Sequence, residues 1–273
     1  MKQPKTQEEI SFPGEQPSPG LQMMWTDEYL IRSYEAGAYG TVTLPVLFQF
    51  MQETAYVHAT HLGFGYHELK TIERFWVLSR LLIKIKRFPM WGEKIRLTTW
   101  PSGIEGLFAY RDFRFTDQSG DTFAAAASSW LVLDSEKHRP QRPEMLNERI
   151  HLIPNARAID ERPSKLSPLA QPEPSEPFCV RYSDTDIYHH VNNTRYIQWI
   201  IDSYPSDIHD ASQVDSFEVN FVSEAKLGDI VFIETQNITQ PDLVQQSLHC
   251  IRRQEDNRVI SLARAAWRTR DGK

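Results

Sequence analysis

The densest run of residues able to do chemistry is Arg181-Tyr-Ser-Asp184-Thr-Asp186-Ile-Tyr188-His189-His190-Val-Asn192-Asn193-Thr-Arg-Tyr196. Asp186 can act as a base, His190 can relay a proton, and Asn192 and Asn193 can orient a water molecule. The run lies between a strand candidate, Phe178–Tyr182, and a helix that Asn192 or Asn193 can cap. The apolar residues of that helix are Tyr196, Ile197, Ile200 and Ile201. A helix start leaves amide donors unsatisfied and carries about half a positive charge. A developing oxyanion could therefore be received near Val191–Asn193. A capped helix after an Asx-rich turn uses the same residue types, and for any single residue that plainer arrangement is the commoner one.

These residues need a scaffold, and the chain supplies one twice. In the first half, Trp25–Tyr34 reads as a strand. Thr43 can cap a helix with Pro45 in its first turn and Leu44, Leu47, Phe48, Met51 and Ala55 at helical spacing. Strand candidates follow at Phe75–Phe88, Glu93–Thr99, Gly106–Phe115 and Thr122–Leu133, with a turn expected at Pro101-Ser-Gly103. In the second half, strands are expected at Phe217–Val222, Ile230–Gln236, Leu243–Arg253 and Val259–Arg270 after the short helix. Arg87-Phe-Pro-Met-Trp-Gly92-Glu superposes on Ser223-Glu-Ala-Lys-Leu-Gly228-Asp at an offset of 136, and Trp130 matches Trp267 at 137. A near-constant offset with the same element order indicates a repeated α+β unit. In that superposition Glu224 falls opposite Phe88, so the second half carries a carboxylate where the first carries a greasy residue.

The remaining features set limits. Lys plus Arg number 30 and Asp plus Glu 36, a net charge of −6, which argues against nucleic acid as the main partner. There is no run of 18 apolar residues, so no transmembrane helix is expected. Two cysteines, Cys179 and Cys250, exclude a disulfide framework and a four-cysteine metal site. Nucleotide-binding glycine loops, G-x-S-x-G and H-E-x-x-H are absent, and no cofactor or metal is called for. His58 and His61 are expected on the less buried face of the first helix rather than as metal ligands. Residues 1–20 hold four prolines and no apolar signal core, and read as the flexible tail of a cytoplasmic protein. Eight of the 17 prolines lie between Pro140 and Pro177, which marks a linker, with a short helix expected over Pro143–Ile150. The organisation expected is thus a tail (1–20), a first unit (21–138), a Pro-rich linker (139–176) and a second unit (177–273).

The segment Asp184-x-Asp186-x₃-His190-Val-Asn-Asn193-x₂-Tyr196-Ile-x-Trp199 resembles the signature of the acyl-acyl-carrier-protein (acyl-ACP) thioesterases. Phe75-Trp-Val-Leu-Ser-Arg80, Arg87-Phe-Pro-Met-Trp-Gly92-Glu, Ser128-Ser-Trp130 and Arg139-Pro-Gln-Arg-Pro143 resemble that family as well, and the likeness extends over about residues 22–270. The resemblance implies two tandem hotdog domains, each an antiparallel sheet wrapped around a long helix. It implies a catalytic Asp at Asp186, His at His190 and Glu at Glu224. The family often has Asn where this chain has Tyr188, which puts in doubt any role that needs a carboxamide there. Some members have Cys after the Glu; here Ala225 excludes a thiolate nucleophile at that point. The implied reaction is attack of water on a fatty acyl thioester, with Glu224 or Asp186 as base and His190 polarising or relaying the proton. A carboxylate with pKa about 4 is a weak base at neutral pH, so burial is expected to raise it.

The resemblance further implies an acyl pocket in the first half, with Leu47, Phe48, Met51, Tyr56, Phe75 and Trp76 as candidates. The implied partner is acyl carrier protein with its phosphopantetheine arm, met by Lys84, Lys86, Arg181 and Arg195. A homodimer is left open. The alternatives are an acyl-CoA thioesterase with the same residues, a hotdog dehydratase, and a non-catalytic acyl-binding module.

Overall fold

The structure is a computed structural model that describes residues 23–143, 153, 156–238 and 244–270. The expected tail and nearly all of the short helix expected at 143–150 lie outside the described residues.

The first half opens with β1 (Trp25–Leu30), followed by a 3₁₀ turn at Ser33–Glu35, α1 (Leu44–His61) and a short α2 (Tyr66–Lys70). Four strands then run in order: β2 (Arg74–Ile85), β3 (Lys94–Glu105), β4 (Phe108–Thr116) and β5 (Thr122–Asp134). The connection holds β6 (Pro140–Gln141) and β7 (Glu173–Pro174). The second half repeats the plan with β8 (Phe178–Cys179), a 3₁₀ turn at Tyr182–Asp184, α3 (Asn193–Asp202) and α4 (Ser206–Ala211). Its strands are β9 (Ser212–Phe221), β10 (Ile230–Ile238), β11 (Gln245–Arg253) and β12 (Val259–Thr269).

The strands form one antiparallel sheet in the order β1-β3-β4-β5-β2-β9-β12-β11-β10-β7. The halves meet at its centre, where β2 pairs with β9 from Arg80↔Asn220 to Lys84↔Ser216. α1 and α3 lie against the inner face and share one core with it. Phe48 of α1, for example, meets Phe217 of β9 edge to face with centroids 6.0 Å apart. The spacing of Leu44, Leu47, Phe48, Met51 and Ala55 accounts for the buried face of α1. Its end is fixed at Gly63, at φ 74°, where the Gly63 and Phe64 amides bond back to Thr60 and Ala59.

The structure corrects several expectations. β1 stops at Leu30, and the chain tightens into a 3₁₀ turn that includes Tyr34. Pro101-Ser-Gly103 is not a turn. β3 runs through it with a register shift, which absorbs the missing Pro101 N–H, and the chain reverses at Gly106, φ 59°. His58 is fully buried, and Arg111 of β4 meets its Nδ1 at 3.0 Å. The part of the Pro-rich stretch from 158 to 166 is laid over the outer face, where alternate strand residues present polar groups. Ala158 N–H and Arg162 bond to Asp112, Ser164 to Glu218, and Leu166 N–H to Asn220. Asp112 and Glu218 are buried beneath it.

Candidate active site

The polar cluster forms a loop whose backbone the first half copies, 149 residues earlier. Asp186 N–H bonds to His190 C=O at 2.9 Å, and Gly37 N–H to Thr41 C=O at 2.9 Å. His189 N–H bonds to Asp186 C=O, and Gly40 N–H to Gly37 C=O, both at 3.0 Å. Asp184 Oδ2 accepts from Arg181 N–H as Glu35 Oε2 accepts from Arg32 N–H. Val191 N–H bonds to Ala225 C=O as Val42 N–H bonds to Pro89 C=O, which ties each loop to the turn after its own half's first long strand. Gly40 (φ 72°) and His189 (φ 61°) both take the left-handed conformation, which disfavours a side chain. The shared backbone makes the side-chain positions equivalent. Gly37, Tyr39, Thr41 and Phe88 stand where the second half has Asp186, Tyr188, His190 and Glu224.

In the second half these positions converge. His190 Nε2 lies 3.1 Å from Glu224 Oε2. The bridge between His190 and Lys226 aligns the two segments. Asp186 Oδ1 accepts from Tyr188 N–H at 2.9 Å, which leaves its second oxygen for other use. Ala225 N–H bonds to the Tyr196 hydroxyl at 3.1 Å, so the first turn of α3 also props the Glu224 segment. Burial pushes the Tyr188 phenol up to about 12, with Tyr66, Asp186 and Tyr56 adding to the effect. At neutral pH Tyr188 is therefore a protonated donor and not a base. Glu224 is 58% exposed, so the chain alone does not supply the burial expected of a base.

Asn192, not Asn193, caps α3, accepting from the Thr194 amide at 3.0 Å and its hydroxyl at 2.7 Å. The amides expected to receive an oxyanion are only partly available. Val191 N–H is bonded to Ala225 and Asn192 N–H to Asp184 C=O. Among the described residues, Asn193 N–H is the one of the three without an acceptor.

Asp186 lines a cavity of about 420 Å³ between the halves. Gln49, Gln52 and Glu53 of α1 form one wall, and Ser183 and Arg195 stand on the other. Of the pocket candidates, Leu47, Phe48 and Met51 are buried in the shared core and Tyr56 is half-buried. Phe75 and Trp76 are successive strand residues and so face opposite ways. Trp76 packs on the cluster of Leu62, Phe64 and Leu69 and donates to Phe64 C=O, whereas Phe75 lies against His138. Phe75 therefore points away from the cluster that holds Trp76. Lys84 is paired with Glu161 at 2.6 Å on the outer face, and Lys86 is exposed there. Arg181 is exposed beside the Asp186–His190 loop, and Arg195 donates to Ser183 C=O. Sequence reasoning missed Tyr66, whose ring meets Tyr188 across the halves at 5.7 Å. No local spacing signals such a contact.

With this geometry in place, comparison with known proteins is informative. The acyl-ACP thioesterase N-terminal domain model matches residues 22–150, and the C-terminal domain model matches residues 169–269. The chain is 25% identical over 285 residues to oleoyl-acyl carrier protein thioesterase 2, chloroplastic, of Arabidopsis thaliana, covering 91% of this chain and 78% of that one. It is 25% identical over 268 residues to the palmitoyl-acyl carrier protein thioesterase, chloroplastic, of Cuphea hookeriana, covering 92% of this chain and 63% of that longer one. The crystal structure of an acyl-ACP thioesterase from Bacteroides thetaiotaomicron superposes with a TM-score of 0.80 at 25% identity, over 90% of this chain and 98% of that one. The 12:0-ACP thioesterase from Umbellularia californica superposes with a TM-score of 0.79 at 21% identity, over 92% of this chain and 95% of that one, and shares the fold. Both family domains are matched, in order, over the two half-sheets, and the chain belongs to the acyl-ACP thioesterase family with a tandem hotdog fold.

Proposed function

We propose that this chain hydrolyses the thioester of fatty acyl-ACP, releasing free fatty acid, and that the Asp186–His190–Glu224 loop performs the reaction. The observation that carries the assignment is the 3.1 Å contact of His190 with Glu224, in a loop whose twin has neither group. Glu224 holds one imidazole nitrogen and so orients the ring. Asp186 faces the cavity with an oxygen free to take a proton from water. Water attacks the thioester carbonyl, the C–O bond forms, and the oxyanion is received at the open Asn193 amide. The C–S bond then breaks. The proton taken from water passes through His190 to the departing pantetheine thiolate.

The polar cavity between α1 and the start of α3 suits the amide-bearing pantetheine arm. Bound there, the arm would cover Asp186 and exclude bulk water from it. The acyl chain would be taken up by the N-terminal half, on the inner face of α1 near Leu47, Phe48, Met51 and Trp76. Each methylene buried there would contribute about 0.8 kcal/mol. Arg181 and Arg195 beside the loop are the cations placed to meet an acidic carrier. Lys84, held by Glu161 across the sheet, is not.

The test is thiol release from acyl-ACP and acyl-CoA of the same chain length. Faster release from acyl-ACP is expected. Faster release from acyl-CoA would make the chain an acyl-CoA thioesterase, and stoichiometric bound fatty acid with no release from either would make it a binding module.

A further inference from the structure

The two matched loops each carry a tyrosine at the same position, Tyr39 in the first half and Tyr188 in the second. Each reaches across to the short second helix of the opposite half. The Tyr39 hydroxyl donates to Asp210 of α4, and the Arg270 guanidinium lies 4.0 Å from its ring centroid. Tyr188 meets Tyr66, the first residue of α2, with ring planes at 61° and centroids 5.7 Å apart. The N-terminal contact has no catalytic groups beside it, since its loop carries Gly37 and Thr41. The reciprocal arrangement therefore belongs to the joining of the halves rather than to the chemistry. In the second half, however, the same tyrosine sits between Asp186 and His190, and its own amide holds Asp186 Oδ1.

We propose that Tyr188 is a positioning residue, tied through Tyr66 to the N-terminal half, which fixes the Asp186–His190 loop against the domain that takes the acyl chain. On this reading the residue does not replace a carboxamide. Its ring is the working part, and its hydroxyl is dispensable. An aromatic pair in this geometry is worth about 0.5–1.5 kcal/mol, or about 2- to 13-fold in rate if it is felt only in the transition state.

The inference rests on the loop being the active one, so the wild-type rate on acyl-ACP is measured first, and its absence would fail that reading alone. Tyr66→Ala and Tyr188→Ala in the full chain are expected to lower kcat about 3- to 10-fold with KM little changed. The double variant should fall no further, because both changes break one contact. Tyr188→Phe should restore the rate. Tyr39→Ala, which removes the twin contact, should leave kcat unchanged. Hydrogen exchange gives a readout free of substrate, in which amides of 186–192 should exchange faster in Tyr66→Ala than in wild type. The proposal is overturned if Tyr66→Ala leaves both exchange and kcat unchanged, if the two alanine effects multiply, or if Tyr188→Phe loses as much as Tyr188→Ala.

Discussion

The loop at Gly37–Thr41 and the loop at Asp186–His190 share a backbone and differ in chemistry. Both are closed by the same amide bonds and tied to the turn after a long strand. The first holds Gly37, Thr41 and Phe88, and the second Asp186, His190 and Glu224. The backbone that arrays the groups is therefore a property of the fold, and on the proposed function the reaction is a property of three side chains. The one conformational concession differs as well. Glycine takes the left-handed position in the first loop and His189 takes it in the second, where a side chain costs about 1 kcal/mol or more. Such strain beside reacting groups is common.

The largest expected difference between the loops is in rate. Removing a general acid–base group typically costs about 10²- to 10⁴-fold. His190→Ala should lose that much in kcat/KM on acyl-ACP with its melting temperature kept, while Thr41→Ala should stay within about twofold of wild type. The next is the exchange at the third position. Glu224→Gln should lower the rate at least tenfold. Phe88→Glu in the other half should create no activity and should destabilise, because Phe88 packs on the core and a carboxylate there lacks a partner. A denaturant series on Phe88→Glu, expected to show about 1–3 kcal/mol lost, checks the second part.

A third contrast lies deeper in the two sheets. His249 of β11 occupies the register position held by Phe113 in β4. Its Nε2 and Nδ1 meet the Tyr204 hydroxyl at 2.7 Å and the Thr235 hydroxyl at 3.0 Å. Burial pushes its pKa down to about 3. The unfolded chain, with His near 6.5, binds the proton more readily than the fold does. Stability from this group is therefore complete above about pH 6.5 and is lost as pH falls from there toward 3. Unfolding midpoints measured between pH 7 and 4 should fall more steeply for wild type than for His249→Phe. The smallest effect is expected at the outer-face pair Lys84–Glu161, which is about half exposed. Lys84→Ala should cost at most about 1 kcal/mol and leave KM for acyl-ACP unchanged.

The contrast between the loops was partly legible before any coordinates. Glu224 stood opposite Phe88 in the internal superposition, and the matching bonds of Val191 N–H to Ala225 C=O and Val42 N–H to Pro89 C=O place the two residues at equivalent points of their halves. The buried face of α1 was legible because it repeats at a helical period. What escaped had no local period to reveal it. Tyr66 meets Tyr188, Arg111 meets the buried His58, and the Pro-rich stretch bonds to Asp112 and Glu218, all through contacts between residues far apart in the chain. Proline content marked that stretch as irregular. It carried no information on what the stretch would cover. The same holds for the amides of Val191–Asn193 expected to receive an oxyanion, two of which are used in closing the loop.

The most direct measurement gives the second loop the side chains of the first. The Asp186→Gly, His190→Thr, Glu224→Phe triple variant should fold, bind acyl-ACP and release fatty acid no faster than the uncatalysed background. Release within tenfold of the wild-type rate would contradict the account, because the reaction would then have to be carried by residues outside this loop.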